Sequence, residues 1–104
     1  MNRITGAIKY ITPLRKLKDN AVGVKLGITN PPYPTENLFA DNHMAFHIIQ
    51  NFSCGDLVLI KFVFNGSKKY VFKIKIIETK DYIYLNQRRE NEQNITTRQD
   101  RRSP

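Results

Sequence analysis

Large apolar side chains recur at every second position along four stretches between residues 3 and 77, the period of a pleated strand with one face in a core. In the first, Ile4, Gly6, Ile8 and Tyr10 share one face and Thr5, Ala7, Lys9 and Ile11 the other, until Pro13 ends or bends the strand. The next seven residues, LRKLKDN, are mostly polar and basic and read as a loop. In the second stretch Val22, Val24, Leu26 and Ile28 alternate with Gly23, Lys25, Gly27 and Thr29. Glycines on that outer face mark either a bend at a barrel corner, which the geometry favours, or a surface that another molecule approaches closely. The third and fourth stretches form a hairpin. Val58, Ile60, Phe62 and Phe64 face inward on the way out, with Leu57, Leu59, Lys61 and Val63 outward. Asn65-Gly66 supplies a tight turn. Tyr70, Phe72, Ile74 and Ile76 face inward on the return, with Val71, Lys73, Lys75 and Ile77 outward.

Between these pairs the period changes. Met44, Ala45, Ile48, Ile49 and Phe52 fall on one stripe of a helix that Asp41 or Asn42 can cap and Gly55 can end. That stripe is core packing. Before it, Asn30-Pro31-Pro32-Tyr33-Pro34 reads as an irregular connection and Glu36 to Phe39 as a short strand; near the end, Tyr82 to Leu85 adds a strand or pairs with a neighbour. The order predicts an all-β fold with one helix: a five-stranded antiparallel Greek-key barrel, the helix between strands three and four and closing one end. From Asn86 the chain reads NQRRENEQNITTRQDRRSP, with one large aliphatic residue and no aromatic, too little apolar surface to offset the entropy of ordering. Residues 1–85 are therefore expected to form the single domain and 86–104 a disordered basic tail.

Charge changes the picture. The 104 residues carry 17 Lys and Arg against 9 Asp and Glu, for a net charge of +8. Five arginines against three acids put +2 of this in the tail and leave +6 on the barrel. Such a balance favours polyanionic partners, nucleic acid before an acidic membrane surface. On the strands, outward parity belongs to Lys9, Lys25, Lys61, Lys73 and Lys75, so the hairpin would be apolar inside and basic outside. A single-stranded nucleic acid, were it the partner, would call for aromatic platforms as well as charge. Tyr33, in the proline-rich connection, is the best exposed candidate; Tyr10 and Tyr70 have inward parity but border basic loops, and Tyr82 and Tyr84 are further options.

Chemistry beyond binding finds little footing. His43 and His47 share a helix face at a spacing that can hold zinc, but Met44 stands where an HExxH motif has glutamate, and solvent-facing histidines are the better reading. Cys54 follows a helix C-terminus, where the dipole disfavours a thiolate. No phosphate-cradling glycine loop or carboxylate pair is discernible. No enzyme activity, metal or cofactor is expected. A single cysteine and the absence of a signal-type apolar block in MNRITGAIKYIT point to a reducing compartment such as the cytoplasm, and no run is long enough to span a membrane.

The element order, with Ile4-Thr5-Gly6 on the first strand, Gly55-Asp56 opening the fourth and the hairpin Phe62 to Ile77 after the helix, resembles the OB-fold single-stranded DNA-binding proteins of small bacterial and phage type, over roughly residues 3 to 80. The chain differs from them in lacking tryptophan and in a basic rather than acidic tail. The resemblance implies binding through the second- and third-strand face, flanked by the first loop and the loop between strands four and five. Here those loops hold Arg15, Lys16 and Lys18, and Lys68 and Lys69 with Tyr70 beside them. It implies a sequence-tolerant single-stranded DNA-binding protein of replication or recombination, with RNA an open alternative, self-associating as a dimer or larger. The rival is an adaptor or structural barrel for protein assembly, a phage component for example, drawing on Leu57, Leu59, Val63, Val71 and Ile77.

Overall fold

A computed structural model describes residues 2–85 and 87. The disordered tail expected over 86–104 thus lies, Gln87 apart, outside the described residues. Six strands form one sheet: β1 (Asn2–Ile11), β2 (Arg15–Lys16), β3 (Val22–Asn30), β4 (Tyr33–Asp41), β5 (Leu57–Asn65) and β6 (Lys68–Ile76), with α1 (Asn42–Asn51) between β4 and β5. The two-residue β2 only borders β3. The other five close into a barrel in the order β1-β5-β6-β4-β3, with β3 returning to β1.

The expected all-antiparallel pairing is corrected. β1 is antiparallel to both β3 and β5, as are β3 to β4 and β5 to β6, whereas β4 and β6 run parallel, in register at Phe39 and Tyr70. The reason is arithmetic: directions cannot alternate all the way round a ring of five, so one neighbouring pair must be parallel. The crossover that makes it so contains α1 and β5, as a parallel connection requires.

Inside the ring lie Ile8, Val24, Leu26, Ile28, Leu38, Ala40, Val58, Ile60, Phe62, Val71 and Ile74. From α1, Ala45 and Ile48 and the cap residue Phe52 join them, so the helix closes one end as its stripe predicts; Ile49 is 37% exposed and lies off that contact. Asp41 stands at the helix N-cap without a side-chain hydrogen bond, and Asn42 instead accepts the Val22 amide at 3.2 Å. The helix stops at Asn51, and Gly55, with φ of 95°, serves the turn that follows rather than the helix end. Its amide donates to Ile8 O at 2.7 Å while the Ile8 amide donates to Asp56 O at 2.9 Å, binding the turn to β1.

Other departures have local causes. β4 begins at Tyr33 and spans nine residues, because a two-residue turn at Pro31 and Pro32, joined by a cis peptide, suffices to reverse the chain. The β5–β6 turn is Gly66-Ser67, one residue later than expected, with Asn65 paired to Lys68 and only Gly66 at positive φ (66°). LRKLKDN contains β2 and a 3-10 turn at Lys18–Asn20. Residues 79–85 are helical rather than extended, which makes two helices among the described residues where one was expected. Strand propensity at Tyr82 yields there to a helical turn, its amide donating to Glu78 O at 3.0 Å, and to one tertiary contact, its hydroxyl donating to Asn30 Oδ1 at 3.0 Å.

Two bulges reset the inward and outward faces. In β1 the register with β3 slips between Ile8 and Tyr10, so Lys9 is the extra residue and Tyr10 turns outward. In β6 it slips at Phe72, which has no partner on β5: Phe62 faces Val71 and Lys61 faces Lys73. Val71 therefore enters the core, Tyr70 leaves it, and Phe72 is 52% exposed. Phe64 and Ile76, also expected inside, are 55% and 57% exposed near the two ends of the hairpin ladder.

Ile60 is fully buried at the centre of β5, paired with Ile4 on one side and Ile74 on the other. Ile60→Ala is expected to lower unfolding free energy by about 2–5 kcal/mol in a urea titration. A loss below about 1 kcal/mol would show that the barrel core is packed differently.

Candidate functional site

The outer face of β3 and β4 is built of cross-strand pairs: Gly23 with Asp41, Lys25 with Phe39, Gly27 with Asn37. β6 extends the middle row, since Tyr70 pairs with Phe39. The two rings lie 5.9 Å apart, tilted by 37°. Lys68 reaches over Phe39 from the hairpin tip, its Nζ 5.1 Å from the ring centroid. An ammonium held over an aromatic face is attracted by the ring quadrupole.

The first loop supplies the opposite wall. Thr12 holds it to β3 twice, its amide donating to Lys25 O and its hydroxyl accepting the Lys25 amide, both at 2.9 Å. β2 then lays Arg15 beside Gly23 and Lys16 beside Val22, and Leu17 donates its amide to Ala21 O at 2.8 Å. The Leu17 side chain packs over Gly23, within 2.8 Å of where a Cβ would stand. The result is a groove of about 210 Å³ lined by Arg15, Leu17, Gly23, Val24, Lys25, Phe39, Asp41, Lys68 and Tyr70. Its lining has three cations against one carboxylate.

Of the residues singled out in the sequence, Arg15, Lys25, Lys68 and Tyr70 meet at this groove. Lys16 and Lys18 are exposed on the loop beside it. Lys69 points elsewhere, ion-paired with Glu36 and with its Nζ 5.8 Å from the Phe62 ring. Tyr33 is half-buried at the start of β4, and Lys9 is the exposed bulge residue of β1. Lys61, Lys73 and Lys75 lie on the β5–β6 ladder and line no part of the groove. The cations thus fall into two sets. Phe39 was missed, because the short-strand reading gave it no outward face; its alternation with Leu38 and Ala40, both fully buried, is the signal that identifies it.

Tyr10 covers the next row. A Cβ on Gly27 would sit 2.2 Å from its ring, so the close approach that this glycine permits is by the chain itself. The Tyr10 hydroxyl donates to Asn37 across the two strands. Among the described residues no three His, Cys, Asp or Glu side chains gather as a metal site, and no helix is long and apolar enough to cross a membrane. His47 instead lies 3.2 Å from the Asn51 amide group and edge-on to Phe52.

No family model matches the chain, and no curated protein matches it. Solved structures do. The protein PriB from Ralstonia solanacearum is similar over 74% of this chain and 99% of its own, with 8% identity and a TM-score of 0.53. A small single-stranded DNA-binding protein from Streptomyces coelicolor is similar over 73% of this chain and 90% of its own, with 15% identity and a TM-score of 0.51. At these identities the likeness establishes the fold, a barrel of OB type.

Gly27→Ala is expected to push the Tyr10 ring off β3 and break its bond to Asn37, lowering stability by about 1 kcal/mol. In a Tyr10→Ala background the same change should cost nothing further. Strict additivity in that double-mutant cycle would mean the ring does not rest on Gly27.

Proposed function

We propose that the chain is a single-stranded DNA-binding protein, holding the strand in the groove between the first loop and the β5–β6 tip. The observation that carries this is the Phe39–Tyr70 pair on the outer face, with Lys25, Arg15 and Lys68 around it. A base stacks on the exposed ring surface, a contact that tolerates any sequence, while the cations neutralise flanking phosphates. None of the contacts reads a base edge, so binding is sequence-tolerant. The Streptomyces coelicolor protein, itself a single-stranded DNA-binding protein, supports the reading through a shared fold. Coating exposed strands in replication or recombination, without catalysis, in the cytoplasm of a bacterium or a phage-infected cell, is the role such binding suits. RNA would engage the same stacking surface, and competition between deoxy- and ribo-oligonucleotides decides between them.

Self-association belongs to this reading. Phe46 on α1 is 43% exposed and Phe64 at the hairpin tip 55%, more apolar surface than a lone barrel needs. The same observation favours the second reading, an assembly module with no affinity for nucleic acid. Of the five residues named for it, Val71 is spent in the core; Leu57, Leu59, Val63 and Ile77 remain at least partly accessible.

A fluorescent oligothymidine titration separates the two. Binding should weaken with salt at a log–log slope of roughly −2, about 0.7 for each of three groove cations. Phe39→Ala should cost about 1–3 kcal/mol, roughly 5- to 150-fold in affinity. Lys68→Gln should weaken binding, whereas Lys69→Gln should alter the melting curve more than affinity, because Lys69 is engaged with Glu36. No binding at low salt would leave only the assembly reading, and full affinity in Phe39→Ala would place the binding surface away from the groove.

A further inference from the structure

We infer a second segment of the binding path: the nucleic-acid strand leaves the groove across Tyr70 and runs over the outer wall formed by β6, β5 and β1, using Phe72 and the cations Lys73, Lys61 and Arg3. The inference rests on the reading of the groove and lengthens its site.

β1, β5 and β6 carry seven lysines and arginines and not one aspartate or glutamate. Register places three of those cations in a single row, because Lys61 pairs with Arg3 on one side and Lys73 on the other. At the usual strand separation of about 4.8 Å the row crosses roughly 10 Å of the barrel. Like charges directly opposite one another in a sheet destabilise it. Salt bridges elsewhere do not relieve them: the ion pairs among the described residues are Lys69 with Glu36 and Lys80 with Glu78. A row of cations that repel one another in the free protein is complementary to a polyanion, whose phosphates remove the repulsion on binding.

The row is continuous with the groove. Tyr70, which lines the groove, pairs with Val63 of β5. Lys61 is the next outward residue on β5, two positions from Val63, and it faces Lys73. Between Tyr70 and Lys73 stands Phe72, thrown out by the bulge and 52% exposed. Phe39, Tyr70 and Phe72 thus form an aromatic series that passes from the groove to the wall, with Lys68 before it and Lys73 after it. An exposed phenylalanine between two lysine-bearing turns of a strand suits a stacked base.

Two oligothymidines test this, one of about 5 nucleotides that fills the groove and one of about 20 that can reach the wall. The variant Lys61→Gln/Lys73→Gln should bind the short one as the parent does. On the long one it should lose on the order of 10-fold in affinity at moderate salt, with a salt slope shallower by about 1.4. Phe72→Ser should likewise spare the short oligonucleotide and weaken the long one. Neither should lower the melting temperature, since the lysine change removes repulsion and Phe72 is half outside the fold. Equal losses on both lengths, or none on the long one, overturn the inference. So does a double variant that binds the long oligonucleotide normally but no longer binds vesicles rich in phosphatidylserine, which would assign the wall to a membrane surface. Phe39→Ala on the short oligonucleotide reports on the groove alone, so failure there is distinguishable from failure of the wall.

Discussion

A ring of five strands must contain one parallel contact, and here that contact is the Phe39–Tyr70 pair of β4 and β6. The rest of the molecule depends on it. Inward of the pair, Leu38, Ala40 and Val71 are buried in the core. Outward, the two rings floor the groove. Burying a leucine or valine is worth about 1.5–3 kcal/mol, so the inner face holds the closure in place while the outer face keeps its aromatic surface for something else. Fold and proposed function therefore share one seam, and α1, which fills the barrel end and lies on the crossover between these strands, is what allows the seam to be parallel.

Two single-residue insertions decide what that outer surface looks like. Without the extra residue at Lys9, Tyr10 would keep the inward face of Ile8; without the one at Phe72, Tyr70 would keep that of Ile74. Both tyrosines are instead delivered to the outside. One lies over Gly27 of β3 and links β1 to β4 through its bond to Asn37. The other remains available beside Lys68. The charge is divided in the same spirit. Lys69 is committed to Glu36, a bond that ties β6 to β4 near their contact, while its neighbour Lys68 stays over Phe39.

Much of this was legible in the chain. Alternation identified Val24, Leu26, Ile28, Val58, Ile60 and Phe62 as core, and the helical stripe placed Ala45 and Ile48 correctly. The order of elements predicted a barrel with a helix between its third and fourth strands. What escaped was whatever a period of two cannot register. A bulge leaves no mark on composition, so Val71 and Phe72 were read with exchanged faces. Parallel closure is a property of the ring and not of any one segment. Phe39 was hidden by prolines that suggested a loop where the strand had already begun at Tyr33. At 82–85 strand-forming side chains form a helix because a single tyrosine finds Asn30. The basic loops around the groove were found from element order alone, but the hairpin lysines divide between the tip and the far wall, which order could not show.

Amide chemical-shift mapping tests the central claim, that the outer face of the parallel seam is where a single strand lies. With unlabelled oligothymidine added to the labelled protein, the largest shifts are predicted at Lys25, Phe39, Lys68 and Tyr70 and along the first loop, with smaller ones at Phe72, Lys73 and Lys61. Shifts confined to α1 or to the β3–β4 turn, with the seam silent, would contradict the account.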